Sequence, residues 1–179
     1  MAGYYRDFIP SYAEVAKPLT ELTEKHRPFS WTVQCEKAFK VIREALVNAP
    51  VLAHPDFSKQ FILTTDASGV GLGAVLSQRH DGRERVVSYA SRSLSKAERN
   101  YSTTERECLA IVWATDHFSH FLLGAERFLI QTDHDPLTYL RSIPSPRGRL
   151  ARWISLLEQY SYKLSYVPRE ANSPCGHTL

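Results

Sequence analysis

Short apolar runs between residues 61 and 91 predict three β-strands in succession. Between the second and third runs, Asp81-Gly82 supplies the residues that a tight hairpin turn requires. Glycines at positions 69, 71 and 73 suit a tight turn and close backbone packing between the first two runs. Because connections this short join neighbouring antiparallel strands, the region is predicted to form an antiparallel meander. The predicted strands cover residues 61–65, 71–78 and 85–91.

A long amphipathic helix is predicted next, followed by alternating strands and helices. Ser102 and Glu105 have capping-box spacing, so the helix should begin after Ser102 and run to about Leu123, where Gly124 ends it. The order βββαβαβ predicts an α/β fold with a mixed five-stranded sheet. A long crossover favours parallel pairing, so the fourth strand should lie beside the first. The later elements are a strand over 128–132, a short helix after Asp135, a helix over 149–159 and a strand over 162–166.

The first 50 residues carry a helical pattern instead. Thr32 has the chemistry of an N-cap, and a shorter helix is predicted over residues 12–22. The stretch 50–59 contains two prolines and is typical of a linker. We therefore expect a helical segment over residues 1–55 and an α/β domain over 56–179. Apolar residues recur at three- and four-residue steps after Thr32, at Cys35, Ala38, Phe39, Ile42 and Leu46.

Composition narrows the possible classes of protein. The chain has 179 residues, of which 43% are hydrophobic, enough for one good core and a small appended unit. Its apolar runs are far shorter than the ~20 residues of a membrane span, and its N-terminus lacks signal-peptide character. We expect an intracellular protein, cytoplasmic or nuclear rather than secreted, with no membrane partner. Its three cysteines are too far apart to indicate a disulfide framework or a zinc site.

Positive charge is concentrated in the C-terminal third of the chain. Six basic residues and one acid lie between Arg141 and Arg169, which suits a polyanionic partner. Arg147, Arg149 and Arg152 are therefore candidate phosphate ligands. A solvated helix face explains the same arginines equally well.

Three carboxylates, Asp66, Glu107 and Asp133, carry the candidate chemistry. Parallel pairing of the first and fourth strands would bring the two aspartates to the same edge of the sheet, and Glu107 shares the sheet-facing side of the long helix. Clustered carboxylates repel one another unless a cation is present, and oxygen ligands favour Mg²⁺ or Mn²⁺. Two such ions suit phosphodiester hydrolysis. Taken singly, each aspartate is also explained as a strand-end cap, and the nearby Glu105 is explained by the capping box.

Several motifs resemble the end of a gypsy-class LTR-retrotransposon reverse transcriptase. They lie at residues 4–10 (Tyr-Tyr-Arg-Asp-Phe-Ile-Pro), 16–20, 29–32, 35–39 and 49–52. Others resemble its ribonuclease H (RNase H) domain, at residues 61–78, 88–94, 100–107 and 132–137. The resemblance implies a thumb-like or connecting segment followed by an RNase H-like domain that cuts the RNA strand of RNA:DNA hybrids with two Mg²⁺ ions. Asp66, Glu107 and Asp133 fall on the first three metal ligands of that family.

The resemblance also indicates substrate contacts and departures from the family. The backbone at Ala67 and Ser68, with Thr103 and Thr104, is a candidate for reading the 2′-hydroxyls of RNA. The polymerase Tyr-x-Asp-Asp signature is absent, so we expect no DNA synthesis by this chain and name the polymerase part of a reverse transcriptase as a partner. Gly176 occupies the position of the fourth carboxylate, and the final helix is cut short. A second hypothesis is therefore an impaired or inactive RNase H fold that binds nucleic acid or protein.

Overall fold

The structure, a computed structural model, describes residues 6, 8–25, 28–47, 52–132 and 148–166. In these ranges the helices are α1 (Tyr12–Val15), α2 (Lys17–Glu21), α3 (Val33–Val47), α4 (Thr103–His117), α5 (Ser119–Leu122) and α6 (Arg149–Leu157). The strands are β1 (Phe61–Ala67), β2 (Gly71–His80), β3 (Arg83–Ser93), β4 (Phe128–Thr132) and β5 (Tyr162–Tyr166).

The five strands form one mixed sheet in the order β3-β2-β1-β4-β5. The β1–β2 and β2–β3 pairs are antiparallel, whereas β4 is parallel to both β1 and β5. The β2–β3 hairpin turns at Asp81 and Gly82, both of which have positive φ, as its two-residue loop requires. The predicted meander, and the predicted parallel pairing of the fourth strand with the first, are both confirmed.

The first strand is longer than its sequence predicts. It was expected to end at Thr65, but it continues through Asp66 and Ala67, which pair with Gly73 and Leu72 of β2. The reason is that β2 runs antiparallel directly after a short turn, so backbone partners are available for both residues. Asp66 therefore lies inside a strand, and the expectation that it follows the strand end is wrong.

Two predicted helices are interrupted in the structure. The helix expected from Ser102 to Leu123 ends at His117, and Phe118 has non-helical dihedral angles (φ −93°, ψ 17°) before α5 begins. The Phe118 side chain is buried and lies edge-on to the His117 ring. The helix predicted over 12–22 is also two short helices, because Pro18 in the first turn of α2 has no N–H to continue α1.

The main core lies between the sheet and α4. Ala110, Ile111 and Ala114 of α4 are fully buried, as are Leu63 of β1 and Ile130 of β4. These residues belong to one hydrophobic cluster, so the helix that carries Glu107 is fixed against the two central parallel strands. The predicted sheet-facing side of α4 is confirmed.

A second, smaller cluster forms in the N-terminal segment around Ile9, Ala16 and Ile42. Thr32 caps α3, since its hydroxyl accepts a hydrogen bond from the Cys35 N–H (3.3 Å). The domain boundary between residues 55 and 56 stays a prediction. The helix expected after Asp135 and the truncated final helix lie outside the described residues. None of the helices that the structure describes is long and apolar enough to cross a membrane.

Candidate active site

The first candidate carboxylate, Asp66, lies near the end of β1 with an exposed side chain. It lines a small pocket with Ser11, Glu14, Ser68, Gly71, Leu72 and Gly73. An exposed carboxylate at the rim of a sheet is accessible to a cation or to a phosphate-bearing substrate.

The second candidate, Glu107, lies in the second turn of α4 and is buried, with 6% of its surface exposed. The helix begins with the predicted capping box: the Ser102 hydroxyl accepts from the Glu105 N–H, and the Glu105 carboxylate accepts from the Ser102 N–H (3.0 Å). Next to Glu107, Arg106 donates from Nη1 to the Ser68 carbonyl oxygen (3.2 Å). The start of α4 and the turn after β1 therefore meet where the two carboxylates are carried.

The third candidate, Asp133, lies outside the described residues, as does Arg147. The strand that leads to Asp133 is described up to Thr132, which is buried. In the parallel pairing of β1 with β4, Ile62 is opposite Leu129 and Thr64 is opposite Gln131. Within the described part of the chain, no three His, Cys, Asp or Glu side chains come together in a way that could hold a metal ion.

Glu105 takes a different part in the structure from Glu107. Besides capping the helix, it forms an ion pair with Arg149 of α6. This pairing, helped by the Ser102 N–H, holds the pKa of Glu105 below its ordinary value. The guanidinium of Arg149 also lies over the Tyr101 ring, 4.3 Å from its centre. The predicted capping role of Glu105 is confirmed.

The candidate substrate contacts differ in whether their polar groups already form bonds to other residues of the protein. The Ser68 hydroxyl accepts from the N–H groups of Val70 and Gly71, and the Ser68 N–H donates to the Gly71 carbonyl (2.9 Å). Thr103 is exposed, and its hydroxyl accepts from Nη2 of Arg106 (3.3 Å). Among the others, Arg149 is engaged with Glu105, whereas Arg152 is exposed and Ala67 and Thr104 are half-buried.

The sequence did not predict that helix α1 of the N-terminal segment lies beside this site. The Ala13 N–H donates to the Ser91 hydroxyl of β3 (3.0 Å), which seats α1 on the sheet. A Cβ added at Gly71 would lie 3.4 Å from Cγ of Glu14, so α1 lies against the backbone at the start of β2, at the pocket that Asp66 also lines. The spaced glycines in β2 signal that something approaches closely, but they do not identify what approaches.

The chemistry of the described donors fits the divalent ions that the resemblance implies. Asp66 and Glu107 offer hard carboxylate oxygens, which suit Mg²⁺ or Mn²⁺ and do not suit a thiolate-preferring metal. Both cysteines of the described residues, Cys35 and Cys108, are buried and form no disulfide.

Comparison with known proteins identifies the family. Residues 56–160, more than half of the chain, match the RNase H-like domain found in reverse transcriptase. The Pol polyproteins of transposons 412 and gypsy from Drosophila melanogaster are 45% and 40% identical over 95% and 96% of this chain. A Tf2-3 transposon polyprotein from Schizosaccharomyces pombe is 41% identical over 95% of it. The chain spans only 14%, 17% and 13% of the length of these relatives.

Solved structures agree on the architecture. A foamy viral protease–reverse transcriptase in complex with an RNA/DNA hybrid superposes with a TM-score of 0.74, covering 99% of this chain and 25% of that one at 21% identity. The same protein in complex with double-stranded DNA gives a TM-score of 0.73, covering 93% and 36% of the two chains at 21% identity. At such low identity the likeness concerns the fold, and it confirms the predicted RNase H-like α/β architecture. With the family match, the chain belongs to the RNase H-like domains found in reverse transcriptases, of the gypsy-type LTR-retrotransposon kind.

Proposed function

We propose that this chain hydrolyses the RNA strand of RNA:DNA hybrids, with Mg²⁺ or Mn²⁺ held by Asp66, Glu107 and Asp133. The observation that carries the proposal is the burial of Glu107 on the sheet-facing side of α4, next to the contact between Arg106 and the turn after β1. The Glu107 carboxylate lies on the side of α4 that packs on the sheet, where its hard oxygen ligands would suit a divalent cation bound between α4 and β1.

The parallel pairing of β1 with β4 supports Asp133 as the third metal ligand. Residues of β1 are paired with residues of β4 that lie 67 positions later, as Thr64 is with Gln131. Continued by two positions, the same offset relates Asp66 to Asp133, which is bonded directly to the buried Thr132. Side chains at equivalent positions of adjacent parallel strands lie about 4.8 Å apart, a separation that one cation bridges.

The protein's own residues bind and orient the hybrid. When bound, a pair of divalent cations supplies an activated water and stabilises the oxygen that leaves the phosphorus. Asp66, exposed near the end of β1, would meet the substrate side of the cations, and the buried Glu107 would hold them from the helix side. Arg152 lies exposed one turn after Arg149 and would hold a phosphate without reading sequence. Thr103 and Thr104 at the start of α4 would contact ribose hydroxyls.

The partner that fits this chain is a hybrid presented by a polymerase. The relatives are long Pol polyproteins of which the chain spans a small part, and a structural neighbour was solved with an RNA/DNA hybrid. We propose that the polymerase part of a reverse transcriptase delivers the hybrid to this domain.

The decisive experiment uses a hybrid labelled on either strand. With millimolar Mg²⁺ or Mn²⁺, the labelled RNA should be cut and the labelled DNA left intact. Asp66→Asn and Glu107→Gln should abolish the cuts, because each removes a charged ligand. Asp116→Asn, which changes an exposed carboxylate near the other end of α4, is the matched control and should cut normally. A wild-type pattern no stronger than that of Asp66→Asn, even with Mn²⁺, refutes the proposal.

Two further measurements distinguish a nuclease of reduced activity from a fold that binds the hybrid without cleaving it. Mn²⁺ should raise the melting temperature of the wild type, by the equivalent of about 2.7 kcal/mol at a hundredfold excess over Kd, and Asp133→Asn should remove the rise. Gly176→Asp restores a carboxylate at the fourth ligand position of the family, outside the described residues, and should increase the Mg²⁺-supported rate. If the protein binds the hybrid but neither cleaves it nor gains melting temperature with metal, the binding-module hypothesis is favoured instead.

A further inference from the structure

The side chain of Arg106 links the two elements that carry Asp66 and Glu107. It precedes Glu107 on α4, and its Nη1 donates to the carbonyl oxygen of Ser68, two residues after Asp66 (3.2 Å). Its Nη2 donates to the Thr103 hydroxyl in the first turn of the same helix (3.3 Å). One guanidinium thus joins the β1–β2 turn to the start of α4.

The packing around this guanidinium is close. A Cβ added at Gly69 would lie 3.3 Å from Nη1 of Arg106, and apart from the neighbours of Gly69 in the chain no other described residue lies within 4 Å of it. The Nε of Arg106 is buried and has no hydrogen-bond partner among the described residues. Buried donors normally find an acceptor, and the acceptors that hold this side chain are the Ser68 carbonyl and the Thr103 hydroxyl.

The turn that Arg106 holds is otherwise organised by Ser68. The Ser68 hydroxyl accepts from the N–H groups of Val70 and Gly71, and these bonds fix the turn internally. They do not fix its position relative to α4, whereas the bond from Arg106 does. A planar guanidinium with several donors suits such a bridge, because its geometry is rigid where that of an ammonium group is not.

We infer that Arg106 is a positioning residue: it locks the β1–β2 turn to α4 and thereby sets the spacing between the Asp66 and Glu107 carboxylates. The inference rests on the proposed nuclease function only for its consequence in catalysis. Misplacing catalytic groups by about 1 Å costs on the order of 100-fold in rate. The loss of Arg106 should therefore lower kcat and leave hybrid binding nearly intact.

The test compares Arg106→Met with Arg106→Lys and with Arg83→Met, a control at the exposed far end of the β2–β3 hairpin. For Arg106→Met, kcat for hybrid cleavage should fall about 10- to 100-fold, with KM within about twofold of the wild type. Arg106→Lys should remain impaired, because lysine keeps the charge but loses the two-donor fork. Full activity in Arg106→Lys, or a loss confined to KM, would mean that the charge meets the substrate, and it overturns the inference.

Gly69→Ala provides an independent perturbation of the same contact. Its added methyl meets only the end of the Arg106 side chain, so it should lower kcat in the wild type and have no further effect in Arg106→Met. Additive losses in the double variant would show that the two residues act separately and would contradict the inference.

Amide hydrogen exchange tests the positioning role of Arg106 even if the wild type does not cleave the hybrid. Exchange at the amides of Ser68, Val70 and Gly71 should be at least about tenfold faster in Arg106→Met, with the amides on either side of the Asp81–Gly82 turn unchanged. An inactive wild type with this exchange pattern refutes the proposed function and preserves the positioning role. Unchanged exchange in the turn refutes the positioning role, whatever the activity.

Discussion

Acid should weaken this fold through the ion pair that joins the end of β3 to the turn before α4. Arg92 and Glu98 form a two-fold hydrogen-bonded pair (2.8 and 2.9 Å), and the Ser95 N–H also donates to Glu98 (2.8 Å). These partners, the Arg92 guanidinium foremost, lower the pKa of Glu98 from 4.5 to about 2. A lowered pKa in the folded state means that stability is present above pH 4.5 and is lost as the pH falls towards 2.

The size of the effect follows from that difference in pKa. A gap of about 2.5 in pKa corresponds to roughly 3 kcal/mol at full strength. The Arg92 and Glu98 side chains keep 30% and 18% of their surface exposed, so solvent screens part of the interaction. We expect Glu98→Gln to lower the free energy of unfolding by about 1–2 kcal/mol at neutral pH.

The assay is urea unfolding of the wild type and Glu98→Gln between about pH 6 and pH 3. The difference between the two should be largest at pH 6, and more than half of it should be gone near pH 3, because the unfolded wild type then binds the proton. Glu158→Gln, at an exposed position after α6, is the control and should track the wild type. A difference that is the same at every pH would refute the assignment of the pKa to this pair.

Three further outcomes test other parts of the description. Gly71→Ala should destabilise the fold by about 1–3 kcal/mol in urea unfolding, because its Cβ would lie 3.2 Å from the Arg92 carbonyl oxygen, whereas Gly73→Ala, with 3.9 Å to its nearest neighbour, should cost far less. Equal costs would contradict the close approach at Gly71. Arg152→Ala should reduce the salt dependence of hybrid binding by about one phosphate contact, without changing the melting temperature. If the dependence of hybrid binding on salt concentration is unchanged, Arg152 does not contact a phosphate of the hybrid. Glu105→Ala should lower the unfolding free energy by about 1 kcal/mol through loss of the helix cap, which thermal unfolding measures; an unaltered melting temperature would count against the cap.

The sequence predicts elements well where a local pattern and a tertiary partner agree. The strand over 128–132 and the start of α4 at its capping box are found as predicted. The end of α4 is not, because the helical pattern continues past Phe118, whereas the Phe118 backbone leaves helical dihedral angles and the helix ends at His117. Asp66 was placed after its strand for a similar reason, since its pairing with Gly73 depends on β2 and not on its own neighbours.

The candidate site is predictable only in its local parts. Carboxylates at the ends of apolar runs and on the inner face of a helix are visible in the sequence, so Asp66 and Glu107 can be named as candidates from it. The contacts that arrange them join residues far apart in the chain: Arg106 reaches Ser68, and Ala13 reaches Ser91. Hydrophobic periodicity does not predict contacts between residues far apart in the chain. The position of α1 beside the site and the bridging contact of Arg106 are therefore seen only in the structure.

The central place of β1 affects any shortened form of the protein. One edge of β1 is covered by β2, the next strand along the chain, and the other edge is covered by β4, which begins at Phe128. A chain that stops before Phe128 can build the meander and still leave this second edge open, with the apolar Ile62 and Leu63 beside it. Such a fragment would tend to pair with a second copy of itself. A chain that ends between β3 and β4 should therefore be recovered as insoluble protein when it is expressed.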